Sequence, residues 1–216
     1  MKPSPKKLAV AAAVCFAVVL AGSLIFRGEY PTEQSSTRSF TLPVDFTTVR
    51  KVLVRKDGAK QIIAMGGDSE FVEQKWSAIG GDVESLKLLE PDWRLELHGT
   101  LKVKTLDDYV GEQVVALAQD VTITVDELDS KVELKEGSER LAGYAMRTQF
   151  RRGEEGKTEI ELSLKQKIVT DAPWFAHGIA DRRVKAAVEK TLANQERAIS
   201  EFIEANKNDV PLLPLR

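Results

Sequence analysis

The sequence predicts an α+β protein, a seven-stranded antiparallel sheet followed by a long C-terminal helix and preceded by one membrane-spanning segment. Three observations carry this. Residues 8–26 hold no charged side chain; residues 93–105 and several later stretches alternate apolar and polar side chains with a period of two; and after Pro173 apolar residues recur at helical spacing to the region of Asn206.

The N-terminal run of 19 uncharged residues, as a helix rising about 1.5 Å per residue, spans close to the roughly 30 Å hydrocarbon layer of a bilayer. Lys2, Lys6 and Lys7 precede it, whereas Arg27 alone follows and is soon countered by Glu29. That asymmetry places the N-terminus in the cytoplasm and the rest outside, periplasmic or extracellular. A cleaved signal peptide is the alternative, with Val19 and Ala21 at the small positions before a cut at Gly22. The apolar run continues through Leu24, Ile25 and Phe26, which favours an uncleaved anchor contacting the lipid bilayer through residues 8–26. Either reading exports the domain. Residues 28–38, GEYPTEQSSTR, are polar without apolar periodicity and predict a flexible tether. The expected organisation is a cytoplasmic stub and anchor at 1–27, the tether at 28–38, one folded domain at 39–208 and a tail at 209–216.

The formal charge of −2 conceals a difference between these parts. Four of the 31 basic residues, Lys2, Lys6, Lys7 and Arg27, lie at the anchor, so the remainder carries 27 basic against 33 acidic groups. No nucleic-acid partner is expected of it. Arg147, Arg151, Arg152, Arg182 and Arg183 have acidic neighbours in Glu154, Glu155 and Asp181, the pattern of a solvated face. The single cysteine, Cys15, lies in the apolar run, so the exported part holds no internal disulfide, and Ala12, Ala13 and Val14 before it do not form a lipoprotein acceptor site.

Within the domain, residues 39–44 form a short β-prone run. Asp45 is placed to cap a helix bearing Phe46, Val49, Val52 and Leu53, which Lys56, Asp57 and Gly58 end. Residues 59–65 predict a second short helix stopping at Gly66 and Gly67, and residues 71–79 fit either a helix turn or a strand. Trp93, Leu95, Leu97, Gly99, Leu101 and Val103 then alternate with polar neighbours, putting His98 on the wet face. Strands are expected at 82–89, 93–105, 112–126, 130–136, 139–152 and 157–170. The final helix carries Val184, Val188, Leu192, Ile199, Phe202 and Ile203 on one stripe, with Thr170 or Asp171 as its cap and Pro173 in its first turn.

No catalytic constellation stands out. His98 and His177 are far apart and lack metal-ligand spacing. Asp126, Glu127 and Asp129 lack the calcium-loop pattern and read as a polar hairpin turn. Gly66-Gly67 and Gly80-Gly81 are turns rather than phosphate loops, and no activated nucleophile is spelled out. No cofactor and no metal is expected.

The order strand, two short helices, six strands, long helix resembles the helix-grip fold of the START-like (SRPBCC) superfamily, which includes Bet v 1 allergens, lipid-transfer START domains and the polyketide cyclase/dehydrase group. Residues 40–49, Phe-Thr-Leu-Pro-Val-Asp-Phe-Thr-Thr-Val, are similar to the family's opening strand, proline and helix start. Residues 173–203, from Pro173-Trp174-Phe175 to Ile203, are similar to its closing helix. Arg50 departs from the pattern, standing in a helix where an aromatic is common. The resemblance implies a curved sheet wrapped on the long helix around a cavity for a hydrophobic small molecule of the lipid, quinone or isoprenoid class. Through that fold, Trp174, Phe175 and His177 at the start of the helix, and Tyr144 and Met146 on one strand face, become the candidate ligand contacts. An envelope scaffold domain with a filled core is the competing expectation. A cyclase-like enzyme would need converging polar groups that the pattern does not supply.

Overall fold

In the computed structural model, which describes residues 28–81, 93–106 and 110–209, strand pairing starts at Glu29 rather than Ser39. The first strand, β1 (Glu29–Leu42), runs antiparallel to the last, β7 (Thr158–Asp171), in unbroken register from Glu29 opposite Asp171 to Leu42 opposite Thr158. Residues 28–38 are therefore not a tether. Their polarity hid the strand because it lies at a sheet edge, where Tyr30, Gln34 and Ser36 are half-buried, Thr32 is buried and Pro31 costs no interior ladder bond. The apolar run at 8–26 and the strand expected at 82–89 lie outside the described residues. Among the described residues, no helix is long and apolar enough to cross a membrane.

Asp45 caps the first helix, α1 (Phe46–Arg55), accepting hydrogen bonds from the Thr48 amide at 3.0 Å and from the Thr48 hydroxyl. Partial burial pushes the pKa of its carboxyl up, but the bonds from Thr48 and Thr47 and the charge of Lys51 outweigh this and hold it below the usual carboxylate range. α1 buries Phe46, Val49 and Val52, three of the four residues its spacing picked out, and leaves Leu53 partly buried. Arg50 projects from it between the rings of Phe46 and Trp93, 5.7 and 5.0 Å from their centroids, and donates to the Thr124 carbonyl at 2.8 Å. Gly67, at φ 78°, ends the second helix, α2 (Gly58–Gly66), in the left-handed conformation that glycine favours.

Six strands follow: β2 (Ser69–Gly81), β3 (Leu95–Thr105), β4 (Gln113–Ile123), β5 (Glu127–Leu134), β6 (Leu141–Arg152) and β7. The last five match the alternating stretches closely, whereas β2 replaces the ambiguous 71–79 segment. The seven-stranded sheet has the order β1-β7-β6-β5-β4-β3-β2 with every neighbour antiparallel, so the chain's first two strands form its two edges. Asp126, Glu127 and Asp129 pair with Arg152, Arg151 and Arg147 across the β5–β6 hairpin.

Neither Thr170 nor Asp171 caps the long helix. Asp171 is the last residue of β7, and the chain turns through Pro173 and a single 3₁₀ turn (Trp174–Ala176) into α3 (His177–Asn206), whose start has no side-chain cap. α3 lies against β1 and β7, and α2 lies between α3 and β2. The predicted stripe of Val184, Val188, Leu192, Ile199, Phe202 and Ile203 is buried along its whole length. With Leu162, Leu164, Ile160, Val49 and Val52 it forms the main core, and each such side chain withdrawn from water is worth about 1.5–3 kcal/mol.

Candidate functional site: an apolar cavity

β4 offers its buried face as an unbroken alternation, Val115, Leu117, Gln119, Val121 and Ile123, and all five residues line one cavity of about 390 Å³. Facing positions of β2, β3, β5 and β6 continue the wall. Ile62 and Ile63 of α2 and Thr191, Gln195 and Ile199 of α3, residues four apart on one helix face, close the other side. Val54 and Trp76 line this space yet are 60% and 42% exposed, so it opens between the end of α1 and edge strand β2. Trp76 reaches the wall because the residue opposite it is Gly99. A Cβ on Gly99 would come within 2.8 Å of the indole and 2.5 Å of the Lys75 carbonyl oxygen.

The polar groups of the cavity are mostly neutral. Gln74 donates from Nε2 to Oε1 of Gln119 at 2.6 Å, and Tyr144 stands opposite Gln166 in the β6–β7 register. The Tyr144 hydroxyl donates to the thioether sulfur of Met146 at 3.4 Å, a weak acceptor. Burial, with a smaller contribution from the charge of Asp68, pushes that hydroxyl up to about 12, so it stays protonated and available as a donor at any physiological pH. The ring retains accessible surface through the cavity it faces. Asp57 and Asp68 are the carboxylates of the lining, and Asp68 accepts from Asn194 at 2.9 Å and lies 3.7 Å from the Lys190 ammonium. Apolar walls with a few fixed donors and acceptors are the composition of a small-molecule pocket.

The architecture now decides the fold. On solved structures, the chain matches a Staphylococcus aureus protein of unknown function with a TM-score of 0.50 at 11% identity, over 83% of this chain and 98% of that one. The fold is the START-like helix grip. A START superfamily protein from Mycobacterium smegmatis also matches (TM-score 0.48, 10% identity, 82% of this chain and 99% of that one). So does the ZhuI aromatase/cyclase of a Streptomyces species (0.44, 12%, 81% and 95%). No protein-family model and no curated protein matches the sequence.

Of the five residues expected at the ligand site, the fold brings two to the cavity. Tyr144 and Met146 line it; Trp174, Phe175 and His177 do not. The reason is the length of β1. Because that strand starts at Glu29, the beginning of α3 packs on the outer end of β1 instead of on a cavity mouth. His177 stacks on Tyr30 with ring centroids 3.6 Å apart and planes 6° from parallel. Asp181 accepts from the hydroxyls of Tyr30 at 3.1 Å and Thr32 at 2.6 Å, completing a clasp of helix to strand. Trp174 and Phe175 pack edge to face and are 73% and 57% exposed.

Four glutamines, Gln74, Gln119, Gln166 and Gln195, escaped the sequence reading and line the cavity. Their signal was a misplaced amide. Gln119 interrupts Val115-x-Leu117-x-Gln119-x-Val121, Gln166 interrupts Leu162-x-Leu164-x-Gln166-x-Ile168, and Gln195 falls where the stripe of α3 skips from Leu192 to Ile199. A buried amide in an apolar phase needs partners or faces a space.

Proposed function

We propose that this protein is a membrane-anchored START-like domain that binds or carries a neutral hydrophobic molecule, of the lipid, quinone or isoprenoid class, outside the cytoplasm. The observation that carries the reading is the cavity itself, apolar on most of its wall and served by neutral amides and a protonated tyrosine. Sequestering about ten methylenes there is worth roughly 8 kcal/mol before ordering costs are subtracted. A ligand carbonyl or hydroxyl would take the Tyr144 hydroxyl from the sulfur of Met146, exchanging a weak acceptor for a strong one. An anionic headgroup fits poorly inside, since Asp57 and Asp68 are the charged side chains among the described residues of the wall and would repel it. A core filled throughout, as a scaffold domain would have, is not what encloses this space.

Membrane attachment is supported by the uncharged run at 8–26 and the lysines before it. An anchor holds the cavity beside the phase in which such ligands dissolve, raising their effective concentration. The test is native mass spectrometry with organic extraction on the full chain, purified from its host's membranes in mild detergent. A co-purifying neutral isoprenoid, quinone or lipid near one per chain is expected, lost in Val132→Trp, which fills the cavity from β5. A chain that comes out empty and takes up no fluorescent lipid from a panel would return the protein to the scaffold reading.

A further inference from the structure

Trp174, Phe175 and Ile179 form an apolar patch at the start of α3, 73%, 57% and 47% exposed, on a domain whose other large apolar residues are mostly enclosed. The patch is no part of the cavity. One helical turn further, Arg182 and Arg183 are both exposed, and Arg182 donates to the Gly178 carbonyl of its own helix at 3.1 Å, a bond that leaves its charge facing water. The nearby carboxylates are Glu29 and Asp171, exposed and opposite one another in the β1–β7 register, and Asp181, which is occupied by Tyr30 and Thr32.

Where the chain enters the domain says what covers this patch. Glu29 pairs with Asp171, Asp171 is three residues before Trp174, and Phe26 at the end of the apolar run is three residues before Glu29. Three extended residues on either side of one strand pairing keep the patch within about 27 Å of the end of that run. The C-terminal tail and residues 82–92 are badly placed to cover it. The tail at 210–216 leaves the far end of a 30-residue helix, about 45 Å away, and seven residues reach only about 25 Å. Residues 82–92 leave beside Gly81 and Leu95, which the register aligns with Phe40, eleven residues along β1 from Glu29.

We propose that Trp174, Phe175 and Ile179 insert into the headgroup–acyl boundary of the bilayer that residues 8–26 span, with Arg182 and Arg183 against anionic lipid phosphates. Aromatic side chains favour that boundary because an apolar ring and a polar edge are both satisfied there, and arginines on the adjoining turn extend to the phosphates. The cavity opens elsewhere, beside Val54 and Trp76, so the patch fixes the orientation of the domain on the membrane and does not gate the ligand. This inference rests on the membrane-anchored reading above.

The experiment uses the full chain reconstituted in phosphatidylethanolamine/phosphatidylglycerol vesicles whose acyl chains carry bromine, a contact quencher of indole fluorescence. Of the three tryptophans, Trp76, Trp93 and Trp174, the quenched component is expected to belong to Trp174 and to vanish in Trp174→Phe. Arg182→Gln and Arg183→Gln should each shift the docked-to-undocked ratio by roughly fivefold in anionic vesicles and little in neutral ones. Resistance to carbonate extraction reports the anchor separately. A chain that resists extraction but whose Trp174 is unquenched overturns the docking proposal while leaving the anchor standing, and cross-linking of two copies through Phe175→Cys would then identify a second chain as the cover. Quenching that survives Trp174→Phe, arising from Trp76 at the cavity opening, overturns it as well. A chain washed off by carbonate removes the anchored reading and the docking with it. The extracted ligand is unaffected by any of these outcomes, so failure of the carrier function is read independently.

Discussion

One helix meets the two halves of the sheet in different ways. Against β1 and β7, α3 presents Val188, Leu192, Phe202 and Ile203 to Ile160, Leu162 and Leu164, and the space is filled, with Leu162, Val188 and Ile203 retaining no accessible surface. Toward β2 to β6, the same helix presents Thr191, Gln195 and Ile199, and the sheet's inward residues face a cavity. The inward faces of β7 and β4 are similarly apolar. The difference lies in two polar positions on the helix and in α2, which stands between α3 and the β2 edge and keeps them apart. Stability is therefore expected to come from the filled half and ligand binding from the open one.

The largest effect should follow from truncating the filled half. Leu162→Ala removes a side chain enclosed on every side and is expected to cost about 2–5 kcal/mol in urea unfolding. Leu117→Ala, the same substitution on a strand already facing a cavity, makes no new void with unsupported walls and should cost clearly less while enlarging the pocket. Equal costs would break the comparison, for they would mean that the open half is as tightly packed in solution as the filled one.

Tyr144 offers the next largest effect, and one with a defined sign. Its hydroxyl is pushed from the ordinary 10.0 up to about 12 in the folded chain. A raised folded value means that its stabilising contribution is complete below the unfolded value and is lost as pH rises toward the folded one. Wild-type protein should therefore lose up to about 3 kcal/mol between pH 10 and 12 that Tyr144→Phe does not lose, since each tenfold change in acidity between the folded and unfolded chain corresponds to about 1.4 kcal/mol. Parallel pH profiles for the two proteins would place the hydroxyl in water, and the cavity would then be wetter than its walls imply.

In the filled half, β7 and α3 were legible and β1 was not. β7 alternates over Ile160, Leu162 and Leu164 and resumes at Ile168 after Gln166, and the stripe of α3 holds over Val184, Val188 and Leu192 and again over Ile199, Phe202 and Ile203, so strand and helix could be read from residue type alone. β2 defeated the same reading because register shifts between Phe71 and Glu73 and between Trp76 and Ala78 break the period of two on which a strand is recognised. β1 defeated it by being polar, its inward side resting partly on hydrogen bonds to Asp181 rather than on apolar packing. The cavity fell between these failures. Tyr144 and Met146, expected through the resemblance, line the cavity, whereas Trp174, Phe175 and His177 lie away from it because the length of β1 determines what the start of α3 touches.

A smaller effect tests the roof of the open half. Asp45 caps α1, whose last residues lead to Val54 at the cavity opening. Asp45→Ala should cost about 1 kcal/mol, whereas Asp45→Asn, which keeps the capping oxygen, should cost little at neutral pH. Its carboxyl is held below the usual range in the folded chain, so the contribution of its charge is present above the unfolded value near 3.9 and lost as pH falls through the folded one. Asp45→Asn should accordingly flatten part of the acid limb of the stability profile. If Asp45→Ala also weakens ligand retention out of proportion to its loss of stability, α1 is part of the cavity's gate.

The smallest expected effect separates packing from surface pairing on the open half. His98 and Asp120 meet across β3 and β4 on the outward face, Nδ1 to Oδ1 at 2.7 Å, directly behind the cavity wall, and both are about half exposed. A pair so hydrated contributes little, because water and salt screen the attraction and fixing two side chains offsets the remainder. His98→Gln and Asp120→Asn, singly or together, are expected to leave the urea midpoint unchanged within error. A loss in the variants would show that the thinly packed strands β3 and β4 rely on their outer face for cohesion. The open half would then be stabilised by charge on the outside where the filled half is stabilised by packing within.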